Sequence, residues 1–226
     1  VCLSVRRTGR SAMYCCCAAE VEEVQELPIA ASGVLEKDTF KEGKKPASGC
    51  AFSVELKLKE LRASQLGLEV DITDQDGMVI SSISDGFVNK FNESFPDQAL
   101  EKYDQIMSAN GVRSSIGEVH KALMAAVQDG EVLQLELRRP SSFQVEVKRP
   151  GELGMQLNYK NSSAGIVITD IMAGGLLSKW NNDHPDNTVR AGDRIISLNR
   201  KELKGRDLVE AIRTAEEMQL GILRYL

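Results

Sequence analysis

Two histidines, five cysteines and a scatter of acids are the residues of this 226-residue chain whose types could do chemistry, and their spacing argues against catalysis. His120 and His184 are the sole candidates for a general base. His184 stands before Pro185 in the run NNDHPDN, a composition that favours a surface turn. No G-x-S-x-G places a serine nucleophile, no C-x-x-C or H-E-x-x-H offers metal ligands, and no glycine-rich phosphate signature occurs. Asp183, Asp186 and Asp193 carry the oxygen ligands that calcium takes, but not at the spacing of an EF-hand loop. No enzyme activity, cofactor or metal is expected.

The cysteines carry a different signal. Cys2, Cys15, Cys16, Cys17 and Cys50 all lie at or before position 50, so no disulfide can staple the remainder, which points to a reducing, cytoplasmic compartment. Cys15, Cys16 and Cys17 are adjacent, which leaves two readings open, a disordered tail with incidental cysteines or S-acylation, since paired acyl chains anchor far better than one. Tyr14, where a glycine would be needed, excludes the myristoylation pattern. The chain opens on Val1, which suggests a fragment or a true start at Met13.

Charge narrows the partners. The net charge is -5 with no concentrated Lys/Arg cluster, which disfavours a nucleic-acid surface. The longest apolar stretch, Ala164 to Leu177, contains Asp170 and falls short of the ~20 residues that span a bilayer. Hydrophobic residues make up 42%, enough for packed cores.

What remains is a repeat. Gly86 to Gly111 aligns without a gap on Gly175 to Arg200 at a constant shift of 89 positions. Identical pairs include Asn92/Asn181, Pro96/Pro185, Asp97/Asp186, Asp104/Asp193, Ile106/Ile195 and Asn110/Asn199. FSVELK at Phe52 answers FQVEVK at Phe143, and Leu66-Gly67 answers Leu153-Gly154. A period of this length fits a small domain used twice and exceeds the ~20–50 residues of a solenoid unit. The division is a disordered leader (1–48), a first unit (49–140) and a second (141–226), joined by Pro140, Ser141 and Ser142. So short a joint implies close coupling.

Each unit reads as strand, strand, strand, short helix, strand, helix, strand. Strand alternation runs over Phe52 to Leu58, Leu68 to Ile72, Met78 to Ile83, Asp104 to Ala109 and Val132 to Leu137; helical spacing covers Ile116 to Val127. The second copy places strands at Phe143 to Val147, Met155 to Tyr159, Gly165 to Ile171, Arg194 to Leu198 and Gln219 to Tyr225, with a helix at Asp207 to Ala215.

These residues resemble PDZ domains, in two tandem copies. The carriers are the loops Gln65-Leu66-Gly67-Leu68 and Glu152-Leu153-Gly154-Met155, the stretch GDRIISLN with its weaker copy YDQIMSAN, and the Ala-[Leu/Ile] pairs of the long helices. Gln65 and Glu152 depart from the glycine usual at the first loop position. The resemblance implies a β-rich α+β fold: two partly open six-stranded β-barrels, each with a short and a long helix.

It also implies a non-catalytic scaffold or adaptor that captures the C-terminal tails of partner proteins by β-augmentation, with no nucleic acid involved. The amides of Leu66, Gly67 and Leu68, and of Leu153, Gly154 and Met155, would receive the tail's carboxylate in a nest that needs no charged side chain. Arg62 and Lys148, shortly before the loops, could assist. The helix register set by Ala122-Leu123 and Ala211-Ile212 places Val119 and Leu208 first in the grooves, predicting an apolar third-from-last ligand residue. His120, one position on, is the alternative in the first unit and reverses that preference. Leu66, Leu68, Leu123 and Ala126, and then Leu153, Met155, Ile212 and Ala215, would line pockets for an apolar last residue. The rival reading is a regulatory module of a larger protease, and the oligomeric state stays open.

Overall fold

The computed structural model describes residues 45–58, 66–73, 77–130 and 132–225. Strand alternation decides the first sheet. In β1 (Ala51–Lys57) Val54 and Leu56 point into the core while Ser53, Glu55 and Lys57 face water. β2 (Leu68–Asp71), β3 (Met78–Ile83), β4 (Gln105–Ala109) and β5 (Val132–Arg138) complete an antiparallel sheet in the order β1-β5-β4-β3-β2. α1 (Phe87–Ser94) and α2 (Ile116–Asp129) pack against it. Ser115 starts α2 by accepting a hydrogen bond from the Glu118 amide at 3.3 Å, and Gly130 ends it in the left-handed region.

The second unit repeats the plan. β6 (Ser141–Lys148), β7 (Met155–Asn158), β8 (Ile166–Ile171), β9 (Arg194–Leu198) and β11 (Glu217–Arg224) form a sheet ordered β6-β11-β9-β8-β7, and the two-residue β10 (Lys201–Glu202) pairs with β9. α3 (Leu176–Asp183) and α4 (Gly205–Thr214) pack into the same core. Six strands were expected in each unit, and the first has five among the described residues. The difference lies in one hairpin. After Asn199 and Arg200, both at positive φ, the chain pairs two residues back onto β9, whereas beyond Asn110-Gly111 pairing stops at the single bridge Ala109 to Val112.

Residues identical between the copies pin loops. Asn92 donates to the Leu100 carbonyl and accepts from its amide, as Asn181 does with Val189. Asn110 accepts from the Gln134 amide, and Asn199 from that of Gln219. A two-pronged Arg139–Asp104 pair, at 2.9 and 2.8 Å, is matched by Arg224–Asp193 at 2.8 and 2.6 Å. Each guanidinium also covers the phenyl ring opposite, Phe52 at 5.0 Å and Phe143 at 4.9 Å.

The joint is shorter than anticipated, because β6 begins at Ser141, leaving Arg139 and Pro140 between the sheets. The two units touch. Asp71, the last residue of β2, accepts from Arg194 Nη1 at 2.8 Å and from the Ala164 amide at 2.9 Å. Asn158, the last residue of β7, donates to the Thr73 carbonyl at 3.3 Å. The Tyr225 hydroxyl donates to the Tyr103 carbonyl at 2.9 Å, and Lys102 pairs with Glu202. Asp71 is 4% exposed and Arg194 0%, so this ion pair is dry. Burial pushes the Asp71 carboxyl up, but Arg194 and the bonds from Thr73 and Ala164 prevail and hold it below its ordinary value of 3.8. No described helix is long and apolar enough to cross a membrane.

Candidate functional site

The predicted carboxylate loops have the same geometry in both units. Gly67 lies at φ +70° and Gly154 at φ +69°. Each is held from behind: the Gly67 carbonyl accepts from the Ser84 amide and the Leu66 carbonyl from Val88, while the Gly154 carbonyl accepts from Met172 and the Leu153 carbonyl from Leu177. A Cβ on Gly67 would stand 2.8 Å from the Ser84 carbonyl oxygen and 3.0 Å from the Gly86 Cα. Its counterpart on Gly154 would stand 2.8 Å from the Gly175 Cα. Both the left-handed turn and the close approach therefore demand glycine. With the carbonyls engaged behind, the amides of Leu66, Gly67, Leu153 and Gly154 donate to no other described residue.

Leu68 and Met155 then open β2 and β7, each an edge strand with a vacant ladder on its outer side among the described residues. Apolar side chains line the floor. Leu66 and Leu68 are 0% and 2% exposed, Leu123 2% and Ala126 4%. In the second unit Leu153, Met155 and Ile212 are buried and Ala215 is half-buried. The structure thus brings together a turn with free amides, an edge strand and a buried apolar floor in each copy.

Leu208 is completely enclosed in the second hydrophobic cluster, as Leu66 is in the first. Val119 is 4% exposed and lines a recess of about 140 Å³ with Met78, Ile106 and Ile116, on the side of β3 and β4 instead of β2. One helical face through Leu123 runs Ile116, His120, Leu123, at spacings of four and three. Ile116 and His120 are both half-buried. The matching face in α4 is Gly205, Val209, Ile212. Sequence reasoning missed Ile116 and Gly205, although counting seven back from the Leu and Ile of the Ala-[Leu/Ile] pairs finds both.

Gly205 separates the two grooves. Its amide donates to the Ser163 carbonyl at 3.1 Å, and an added Cβ would lie 1.8 Å from the Lys160 carbonyl oxygen. This contact also starts α4 at Gly205, earlier than the Asp207 that side-chain spacing predicts. A strand added beside β7 lies about 4.8 Å away, so the helix must stand roughly twice that far off. At this end of the groove α4 touches the turn after β7.

Lys148 is not aimed at the glycine loop, because its ammonium pairs with Glu217 across β6 and β11. The base at that loop is Arg149, which donates to the Ala215, Arg213 and Ile212 carbonyls at the end of α4 and to the Gly151 carbonyl. Arg62 and Cys15, Cys16 and Cys17 lie outside the described residues. His184 stacks on Trp180 at 3.6 Å with the rings 9° apart, and no group of three or more His, Cys, Asp or Glu among the described residues is placed to hold a metal.

Residues 142–223 match the family model for the PDZ domain. Glutamate receptor-interacting protein 1 of Rattus norvegicus is 25% identical over 185 residues, covering 74% of this chain and 15% of the relative. Glutamate receptor-interacting protein 2 of Xenopus laevis is 25% identical over 183 residues, covering 74% and 16%. The chain thus spans under a fifth of these relatives' length. Among solved structures, INAD PDZ45 in complex with NG2 peptide is 19% identical and INAD PDZ45 with NORPA CC-PBM 20%, each covering 81% of this chain and 94% and 96% of its own, both at a TM-score of 0.34. Residues 142–223 thus carry the match to the PDZ-domain model, and the sheet before them repeats the strand order and the glycine loop of that segment.

Proposed function

We propose that the chain is a non-catalytic scaffold module that captures C-terminal tails of partner proteins, and that the first unit holds the receiving groove. The observation that carries this is the loop at Gly67: the Leu66 and Gly67 amides donate to no other described residue and lead directly into the edge strand β2. A tail entering there would set its carboxylate on the Leu66, Gly67 and Leu68 amides and extend the sheet along β2, antiparallel to it. Its last side chain would fill the pocket of Leu66, Leu68, Leu123 and Ala126. The third from last would face the first turns of α2, where Ile116 and Val119 favour an apolar residue. The curated relatives are named as receptor-interacting proteins, which supports a polypeptide partner.

A short segment filling one or two pockets gives a Kd on the order of micromolar, about -8 kcal/mol. Acylation of Cys15, Cys16 and Cys17 would hold such a scaffold at the cytoplasmic membrane face, and palmitate exchange on the full chain tests that anchor. The groove itself is tested by titrating a C-terminal peptide library while following amide resonances. Shifts at residues 66–71 with apolar selection at the last and third-from-last positions are expected. Selection of Ser or Thr at the latter, or shifts confined to 153–158, would refute the assignment.

A further inference from the structure

We propose that Arg194 of the second unit is a positioning residue for the peptide site of the first. By gripping Asp71 it holds the strand on which a tail is received, so capture by one unit depends on the other. The inference rests on the reading of the Gly67 groove as the binding site. β2 has four residues, one paired neighbour, and a register shift between Glu69 and Val70 that interrupts its ladder. A strand so short and one-sided has little to fix it until a ligand pairs with its open edge.

Its two ends are secured differently. The entrance is tied within the unit, through the Gly67 and Leu66 carbonyls. The exit is tied through the Asp71 carboxylate, which accepts four hydrogen bonds. Two come from its own chain end, the Thr73 amide at 2.9 Å and hydroxyl at 2.6 Å. Two come from the other unit, Arg194 Nη1 at 2.8 Å and the Ala164 amide at 2.9 Å. Arg194 opens β9, and Nη1 also donates to the Ala164 carbonyl at 3.0 Å, so the arm that grips Asp71 is part of a rigid element.

The repeat shows that the device exists once. At the position of Asp71 the second unit has Asn158, and at the position of Arg194 the first has Gln105. The charged partners therefore meet in one direction, from the second unit to the first. Without the grip the end of β2 samples arrangements that a tail cannot join, and apparent affinity falls by the fraction that stays competent.

The test uses the full chain with a fluorescent C-terminal peptide of apolar sequence and hydrogen exchange at residues 69–71. Asp71→Asn leaves the core of the second unit intact, Arg194→Met removes the arm, Arg194→Lys restores a charge, and Glu202→Gln breaks an inter-unit pair away from β2. Asp71→Asn and Arg194→Met should weaken binding about tenfold, the loss when the competent fraction falls to about one-tenth. They should also speed exchange at 69–71, with Arg194→Lys between them and wild type and Glu202→Gln unchanged. Wild-type affinity and exchange in Asp71→Asn overturn the inference and leave the groove assignment standing. If wild type binds no tail, the groove assignment fails alone, and exchange in the unliganded variants still decides whether Arg194 holds β2.

Discussion

Replacing Gly67 by alanine isolates the loop on which tail capture depends. At φ +70° an alanine costs roughly 1–2 kcal/mol of backbone strain. The new methyl also meets the Ser84 carbonyl oxygen at 2.8 Å and the Gly86 Cα at 3.0 Å, both backbone atoms, and such overpacking adds about 1–3 kcal/mol. The loop can relieve the contact by moving off α1, which turns the amides of residues 66–68 away from a common centre. Gly111→Ala is the control: its φ is +79°, but nothing lies within 4 Å of the added methyl, so the strain appears without the collision. Denaturant unfolding followed through first-unit amide signals should show Gly67→Ala less stable than Gly111→Ala by about 1–3 kcal/mol. Peptide titration should show at least a tenfold loss of affinity, about 1.4 kcal/mol, for Gly67→Ala alone. Equal stability of the two variants together with wild-type binding by Gly67→Ala would refute the reasoning.

Other perturbations reach other parts of the molecule. Gly205→Ala must part α4 from the turn at Lys160, so a loss of about 1–3 kcal/mol is expected in second-unit unfolding, and an unchanged midpoint contradicts the contact. Arg139→Lys breaks the two-pronged bond to buried Asp104 and should cost the first unit about 2 kcal/mol by denaturant titration, with a change under 0.5 kcal/mol counting against it. The pH dependence follows from Asp71. Its folded pKa lies below the ordinary 3.8, so the inter-unit contact is at full strength above that value and is lost as pH falls through the folded one. Inter-unit distance measured by paired labels should therefore hold from pH 7 to about pH 4 and change only below, and separation near pH 5–6 would contradict the pairing.

The strands and the glycine loops were legible because their signals are local: alternation fixes which side chains enter the core, and a glycine between two apolar residues ahead of a strand marks a turn that other residues cannot make. The repeat then supplied the order of elements. Its identical residues proved to hold loops, as Asn92 and Asn181 do, since a small domain copied twice needs the same backbone pins whatever either copy binds. The helix face is the least legible part, because Val119, His120 and Leu208, Val209 are adjacent, and one residue turns a side chain by about 100°. Seven-residue counting from Leu123 reaches Ile116. What no pattern displayed was the long-range part: the Asp71–Arg194 pair spans 123 positions, and the approach of Gly205 to Lys160 depends on the turn after β7. Lys148 likewise looked free in sequence, yet strand register sets it beside Glu217.

The central claim is that main-chain amides at Gly67 hold a carboxylate. Calorimetric titration of the full chain with one apolar peptide, prepared with a free and with an amidated C-terminus, tests it most directly. Amidation should weaken binding by at least tenfold, about 1.4 kcal/mol. Equal affinity for the two peptides would contradict the account.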